Sequence, residues 1–227
     1  YCRKPVVAAP HHYTFGGGVE IAQHADKVVV AGETYAGLVE VGVGLIPAGG
    51  GTKEMLVRAQ EYLPPSLPAQ ADPFPFIRRA FENIAMAKVA TSGAEAVEFG
   101  YFRQSDYLMP NFQHQIRKAK DVCLGLVVSG YSPPLPPRIV ATGEPMRAAF
   151  RSAVWGMTQA GWASEHDMII AEKVANVLTG GHAMPGTVIS EEHVLELERE
   201  AFCSLCGMEK SVERIQHMLM NNKPLRN

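Results

Sequence analysis

Lys4-Pro5-Val6-Val7-Ala8-Ala9 leads to Phe15-Gly16-Gly17-Gly18-Val19-Glu20, then to Gly37-Leu38-Val39-Glu40, then to Gly44-Leu45-Ile46-Pro47-Ala48-Gly49-Gly50-Gly51-Thr52. A β-branched run feeds a glycine triplet, and an apolar, helix-like segment follows with Val19, Ile21, Ala22 and Ala25. Glycines at a strand-to-helix junction let backbone N–H groups approach a ligand with no Cβ in the way. Those N–H groups lie at the positive end of the helix, which favours an oxygen that gains negative charge. Glu20 follows within one helical turn, and Glu40 comes from a second loop. An anion-stabilising amide and two carboxylates are the groups needed for proton chemistry next to a carbonyl.

Working outward, residues 4–9 and 27–31 read as strands and residues 17–25 as a short helix. Alternating short strands and helices point to stacked βα units and an α/β class. Thr52 reads as an N-cap, with a helix over 53–63. Five prolines between 64 and 75 mark a break. Beyond it the pattern is mainly helical. Ile77, Ala80, Phe81, Ile84, Ala85 and Lys88 recur at helical spacing over 76–89. Ser92-Gly93-Ala94-Glu95 has the form of a capping box for a helix ending at Gly100. Further helices are expected over 111–128, 144–159, 164–178, 190–205 and 211–220. The division expected is therefore 1–63, a connection at 64–75, and a helical region at 76–227.

The bulk properties exclude several classes. A net charge of −2 on 227 residues gives no electrostatic footprint for nucleic acid or a membrane surface. No apolar run reaches the ~20 residues of a membrane span. A hydrophobic content of 47% supports a sizeable core. The four cysteines read as reduced thiols, as expected of a cytoplasmic protein. Cys203 and Cys206 share a face of an amphipathic helix with no second ligand pair, so no metal is expected. The eight histidines show no ligand spacing.

The Lys-Pro-Val-Val-Ala-Ala run, the Gly-Gly-Gly-x-Glu pattern and Gly-Leu-Ile-Pro-x-Gly-Gly-Gly-Thr resemble the crotonase (enoyl-CoA hydratase) superfamily. Residues 37–47, Ala85-Met86-Ala87-Lys88-Val89-Ala90-Thr91-Ser92, and the tail from Gln216 to Asn227 resemble the hydratase part of bifunctional 3-hydroxyacyl-CoA dehydrogenase/enoyl-CoA hydratase proteins of fatty-acid β-oxidation. The resemblance implies the C-terminal half of a crotonase-like ββα spiral followed by a mainly helical region. It implies reversible hydration of 2-trans-enoyl-CoA to 3-hydroxyacyl-CoA. Glu20 and Glu40 match the family's catalytic glutamates, with Glu20 activating water and Glu40 supplying the C2 proton. Gly17 matches the oxyanion donor, and Gly49 belongs to the downstream glycine loop. Phe81 is placed near the acyl chain or in a core helix. Lys223 and Arg226 are placed at the CoA phosphates or in solvent.

No cofactor is implied for hydration, because the CoA thioester is itself the substrate. NAD would bind a dehydrogenase part with a Gly-x-Gly-x-x-Gly loop, which this sequence lacks. The family's earlier strands and second oxyanion amide are also missing. The expected partners are therefore acyl-CoA and the N-terminal part of the same polypeptide, with self-association through an unpaired sheet edge. The chain alone is expected to show little hydratase activity. Two departures stand out, because the family has glycine where His12 and Ala48 stand. Two other readings stay open: an enoyl-CoA isomerase using one glutamate, and a non-catalytic CoA-binding or assembly segment.

Overall fold

A computed structural model of the chain describes residues 1–63 and 72–227. The expected connection at 64–75 thus lies outside the described residues from 64 to 71. In chain order the elements are β1 (Val7–Ala8), β2 (Tyr13–Phe15), α1 (Gly17–Gln23), β3 (Lys27–Ala31), β4 (Tyr35–Gly37), a 3₁₀ turn (Glu40–Val43), α2 (Gly51–Glu61) and α3 (Phe74–Ala85). They continue as α4 (Gly93–Glu98), β5 (Tyr107–Met109), α5 (Gln115–Val128), β6 (Ile139–Val140), α6 (Gly143–Gln159), α7 (Glu165–Thr179), β7 (Val188–Ile189), α8 (Glu191–Cys206) and α9 (Glu209–Asn221). These form two compact units, Tyr1–Leu38 with Val89–Pro136, and Val39–Lys88 with Pro137–Asn227.

The first unit carries the parallel pairing expected of βα units. β3 lies between β1 and β5, in register Val7↔Lys27 on one side and Val29↔Tyr107 on the other. Val28, Val29 and Val30 are all buried, as a central strand covered on both faces requires. Helix α5 packs Ala119 and Val122 on Val29, with Val7 and Leu126 around them. Its first residue, the buried Gln115, donates from Nε2 to the carbonyls of Pro10 and Val29, both at 2.7 Å. β2 and β4 form a second parallel pair, Tyr13↔Tyr35 through Phe15↔Gly37. β2, β4 and β5 are three residues each, too short to show periodicity in the sequence. Ile21, one of the apolar residues of this segment, is 77% exposed, because a seven-residue helix buries one face and Val19 and Ala22 hold it.

The second unit is helical around α7, whose Ile170, Ala171, Val174, Val177 and Leu178 are buried. Helices α2, α3, α6 and α8 surround it. Ser164 caps α7 with Asp167 in a complete capping box, and Ser190 caps α8 by accepting the His193 N–H. The side-chain amide of Gln60 stands in for a strand, donating to Val140 O at 2.7 Å and accepting Val140 N–H at 2.9 Å.

Several expected boundaries move, each for a local reason. α3 ends at Ala85 rather than 89, because a Schellman motif closes it. Ala87 has φ +47°, its N–H donates to Ile84 O at 2.9 Å, and Lys88 N–H donates to Asn83 O at 2.9 Å. In the first unit Ser92 does cap α4, but Glu95 reaches Thr91 N–H and Oγ1 at 2.6 and 2.7 Å instead of closing the box. Thr52 is not the N-cap of α2. It is wholly buried inside the helix and its hydroxyl donates to Pro47 O at 2.8 Å. α9 starts at Glu209, with Ser211 inside it.

Candidate functional site

In the first unit the chemistry gathers at the head of α1. Gly16 has φ +53° and ψ −122°, a conformation open to glycine and costly to other residues. This bend lets Gly16 N–H donate to Gly37 O at 2.8 Å while Gly16 O accepts from Val19 and Glu20 at 2.9 and 3.1 Å. Gly17 is therefore the first helical residue, exposed, with an N–H that no preceding turn of helix can accept. Glu20 is only 8% exposed. Its Oε2 lies 3.9 Å from where a Cβ on Gly17 would stand, so the carboxylate folds back over the helix start. The Glu20 carbonyl accepts from His24 Nδ1 at 2.7 Å, which helps to close this short helix. Gly17 and the Glu20 carboxylate thus stand at the same helix start.

His12, upstream of the triplet, has φ +51°. The family's glycine at this position thus has a backbone reason: the left-handed region disfavours any Cβ, and histidine is among the residues that tolerate it best. The His12 ring is exposed beside His11 and Phe112, with centroids 5.2 and 5.7 Å away.

In the second unit Glu40 opens the 3₁₀ turn. Gly42 N–H donates to Val39 O, Gly44 N–H to Val41 O and Leu45 N–H to Glu40 O, at 2.9, 3.0 and 3.1 Å. The turn is closed by Gly44 in the left-handed region, at φ +83°. A Cβ there would meet the backbone of Ser211 at 2.8 Å. Ser211 Oγ donates to Gly44 O at 2.6 Å and accepts from His166 Nε2 at 2.9 Å.

The glycine loop that follows is occupied by the protein itself. Gly50, at φ +93°, donates its N–H to Glu198 Oε2 at 3.0 Å, and the Lys53 N–H donates to Glu198 Oε1. Glu198 is wholly buried and comes from α8. A carboxylate on the free N–H groups of a helix start matches both their geometry and the dipole. Lys53 Nζ, also buried, bonds Glu54 at 2.6 Å and Glu191 at 3.1 Å. Gly49 is exposed on this loop and Ala48 is half-buried.

The remaining expected site residues are placed as follows. Phe81 is 5% exposed and stacked on Phe150, with centroids 4.4 Å apart and planes at 8°, so its ring belongs to a packed core helix. Lys223 and Arg226 are both exposed, and Lys223 O accepts from His217 Nδ1 at 2.9 Å. Arg214 is 2% exposed and ties the C-terminus down, with Nε on Asn227 Oδ1 at 2.8 Å and Nη1 on Asp167 at 2.7 Å. All four cysteines are free thiols. Among the described residues no group of three or more His, Cys, Asp or Glu is arranged to hold a metal ion. Among the same residues no helix is long and apolar enough to cross a membrane. Sequence reading missed Ser211, His166 and Glu198 as site-supporting residues, since a serine, a histidine and a glutamate inside helices carry no distinguishing local pattern.

No family model matches the chain. A Bacillus subtilis protein named "Probable 3-hydroxyacyl-CoA dehydrogenase" is 44% identical over 227 residues, which is all of this chain and 28% of that protein. Carnitinyl-CoA dehydratase of Escherichia coli K12 is 41% identical over 64 residues, 28% of this chain and 23% of its own length. The chain therefore spans about a quarter of the curated relatives it matches. Among solved structures, a carnitinyl-CoA dehydratase from Mycobacterium thermoresistibile superposes with a TM-score of 0.58 at 18% identity, covering 96% of this chain and 62% of that one. The likeness shows that the chain has the α/β fold of crotonase-like enoyl-CoA hydratase structures.

Proposed function

We propose that the chain contributes the reversible hydration of 2-trans-enoyl-CoA to 3-hydroxyacyl-CoA, within a longer β-oxidation protein that is also a 3-hydroxyacyl-CoA dehydrogenase. The observation that carries this reading is the Glu20 carboxylate folded over the Gly17 start of α1, within 3.9 Å of the Cβ position. It puts a base beside a free backbone donor.

In the reaction a water oxygen bonds to C3 of the enoyl thioester and its proton passes to Glu20. The C2=C3 electron pair shifts toward the thioester, whose oxygen takes up negative charge and is stabilised by the Gly17 N–H. Glu40 then delivers a proton to C2, and the carbonyl re-forms. Dehydration retraces the same steps. In this reading Gly49 is assigned to the thioester, Phe81 to the acyl end and Lys223 with Arg226 to the CoA phosphates. This sequence contains no Gly-x-Gly-x-x-Gly. The oxidation step belongs to the remainder of the longer protein. The fold likeness and the names of the relatives support the reading.

The test is loss of enoyl-thioester absorbance with a short 2-enoyl-CoA, in the full-length polypeptide. Glu20→Gln and Glu40→Gln are each expected to lower kcat by ~10²–10⁴-fold while calorimetry shows acyl-CoA binding retained. Full turnover in either variant removes that residue from the mechanism. Turnover of 3-enoyl but not 2-enoyl thioesters would establish the isomerase instead.

A further inference from the structure

The turn that carries Glu40 is held from outside by a chain of two buried side chains. Ser211 is fully buried and His166 is 2% exposed. The Ser211 hydroxyl has one proton, and it goes to Gly44 O at 2.6 Å. Oγ must then accept from His166, whose Nε2 stands 2.9 Å away. The imidazole thus fixes the direction of the serine proton, and the serine fixes the last carbonyl of the turn. The left-handed Gly44 also brings its backbone against the Ser211 backbone, leaving no room for a Cβ between them.

The platform behind this chain is itself tied. Arg214, one turn beyond Ser211 on α9, bonds Asp167 at 2.7 Å and Ser164 Oγ at 3.2 Å at the start of α7. His166 stands between those two residues on α7. α7 and α9 are thereby pinned together at the point from which the turn is gripped.

We infer that Ser211 and His166 are positioning residues for Glu40, setting the conformation of the Glu40–Val43 turn through the Gly44 carbonyl. This rests on the hydratase reading for its consequence on rate, but the grip itself is a structural statement. Within the turn, the bonds at Gly42 and Gly44 are single backbone pairs of a 3₁₀ type, with poorer geometry than those of an α-helix, and Leu45 N–H reaches back to Glu40 O as the outer bond around the left-handed Gly44. A donor from outside the turn, the Ser211 hydroxyl on Gly44 O, holds such a turn in one conformation. Removing the serine hydroxyl leaves Gly44 O buried without its donor, which opens the turn rather than the helices.

The experiment combines hydrogen–deuterium exchange with kinetics. Ser211→Ala and His166→Leu are each expected to speed amide exchange at Gly42, Gly44 and Leu45 by about ten-fold, the loss of one buried hydrogen bond. Exchange at Val174 in the middle of α7 is expected to stay near the parent rate. kcat for hydration is expected to fall about ten-fold with KM within about two-fold, because Glu40 is displaced while acyl-CoA still binds. His166→Gln, which keeps a donor near the Nε2 position, is expected to restore both readouts. Should Ser211→Ala fail to fold, the His166→Leu and His166→Gln pair decides. Unchanged turn exchange in the folded variants overturns the inference, as does a uniform rise that includes Val174. A full-length parent without hydration would end the proposed function, while the exchange rates still report on the grip. A parent that hydrates and loses turnover in Glu40→Gln, beside unaffected Ser211 and His166 variants, would sink this inference alone.

Discussion

Glu198 Oε2 accepts the Gly50 N–H at 3.0 Å, across 148 residues of chain. The same carboxylate takes the Lys53 N–H, so one buried side chain of α8 caps the start of α2 and holds the glycine loop. An N-cap is normally supplied by the residue before the helix, but Gly50 has no side chain to offer.

Removing this cap should be costly. Glu198→Ala deletes the acceptor for two buried backbone donors, so a loss of about 2–6 kcal/mol is expected. Glu198→Gln retains one acceptor oxygen and should lose roughly half as much. Urea unfolding of the two variants checks the order. Equal stability of Glu198→Ala and the parent would show that the carboxylate does not cap the helix.

Gly17→Pro separates the donor from the fold. Position 17 is the first helical residue, where proline is tolerated because its missing N–H has no intrahelical partner. Circular dichroism should match the parent, while kcat for hydration falls by about 10²–10³-fold. A near-parental rate in the folded variant would mean that the Gly17 N–H does not face the thioester oxygen.

His12 and Ala87 both hold positive φ, at +51° and +47°. Glycine at either position relieves the clash of a Cβ with the backbone, against a higher entropy of the unfolded chain. His12→Gly and Ala87→Gly are each expected to raise stability, by roughly 0.5–1 kcal/mol. Denaturant midpoints measure this, and a drop in both variants would contradict the strain assigned to these residues.

The pH response of stability follows from His166. Burial first, then Arg214 and Lys210 on α9, hold its imidazole below the ordinary 6.5, with Asp167 pulling the other way. The unfolded chain therefore binds this proton first as pH falls. The contribution is fully present above 6.5 and is lost as pH falls from there through the folded value. Asp167 titrates lower: burial raises its carboxyl, but the Ser164 amide and Arg214 outweigh that and keep it below 3.8. His166→Gln should flatten the stability profile just below 6.5 and leave it unchanged above. An identical acid slope in the variant would show that His166 does not carry it.

The sequence by itself determined what a single turn of chain can decide. The glycine triplet fixed where α1 begins, Val28 to Val30 marked a strand, and Ser92, Ser164 and Ser190 marked three helix starts. The strand shows as a β-branched run whatever its partners, and at the serine caps the donor and acceptor lie within four residues, so composition and spacing are enough. Glu20 beside Gly17 was legible for the same reason. The tertiary structure alone decided who caps α2, who grips the Glu40 turn and where Ser211 points. Thr52 looked like the cap and Ser211 like the opening of a helix, yet the first donates to Pro47 and the second to Gly44, 167 residues away. The physical reason is that a buried polar group takes the partner the packed chain brings to it. That choice between a local and a distant acceptor is made by burial, which no local pattern encodes.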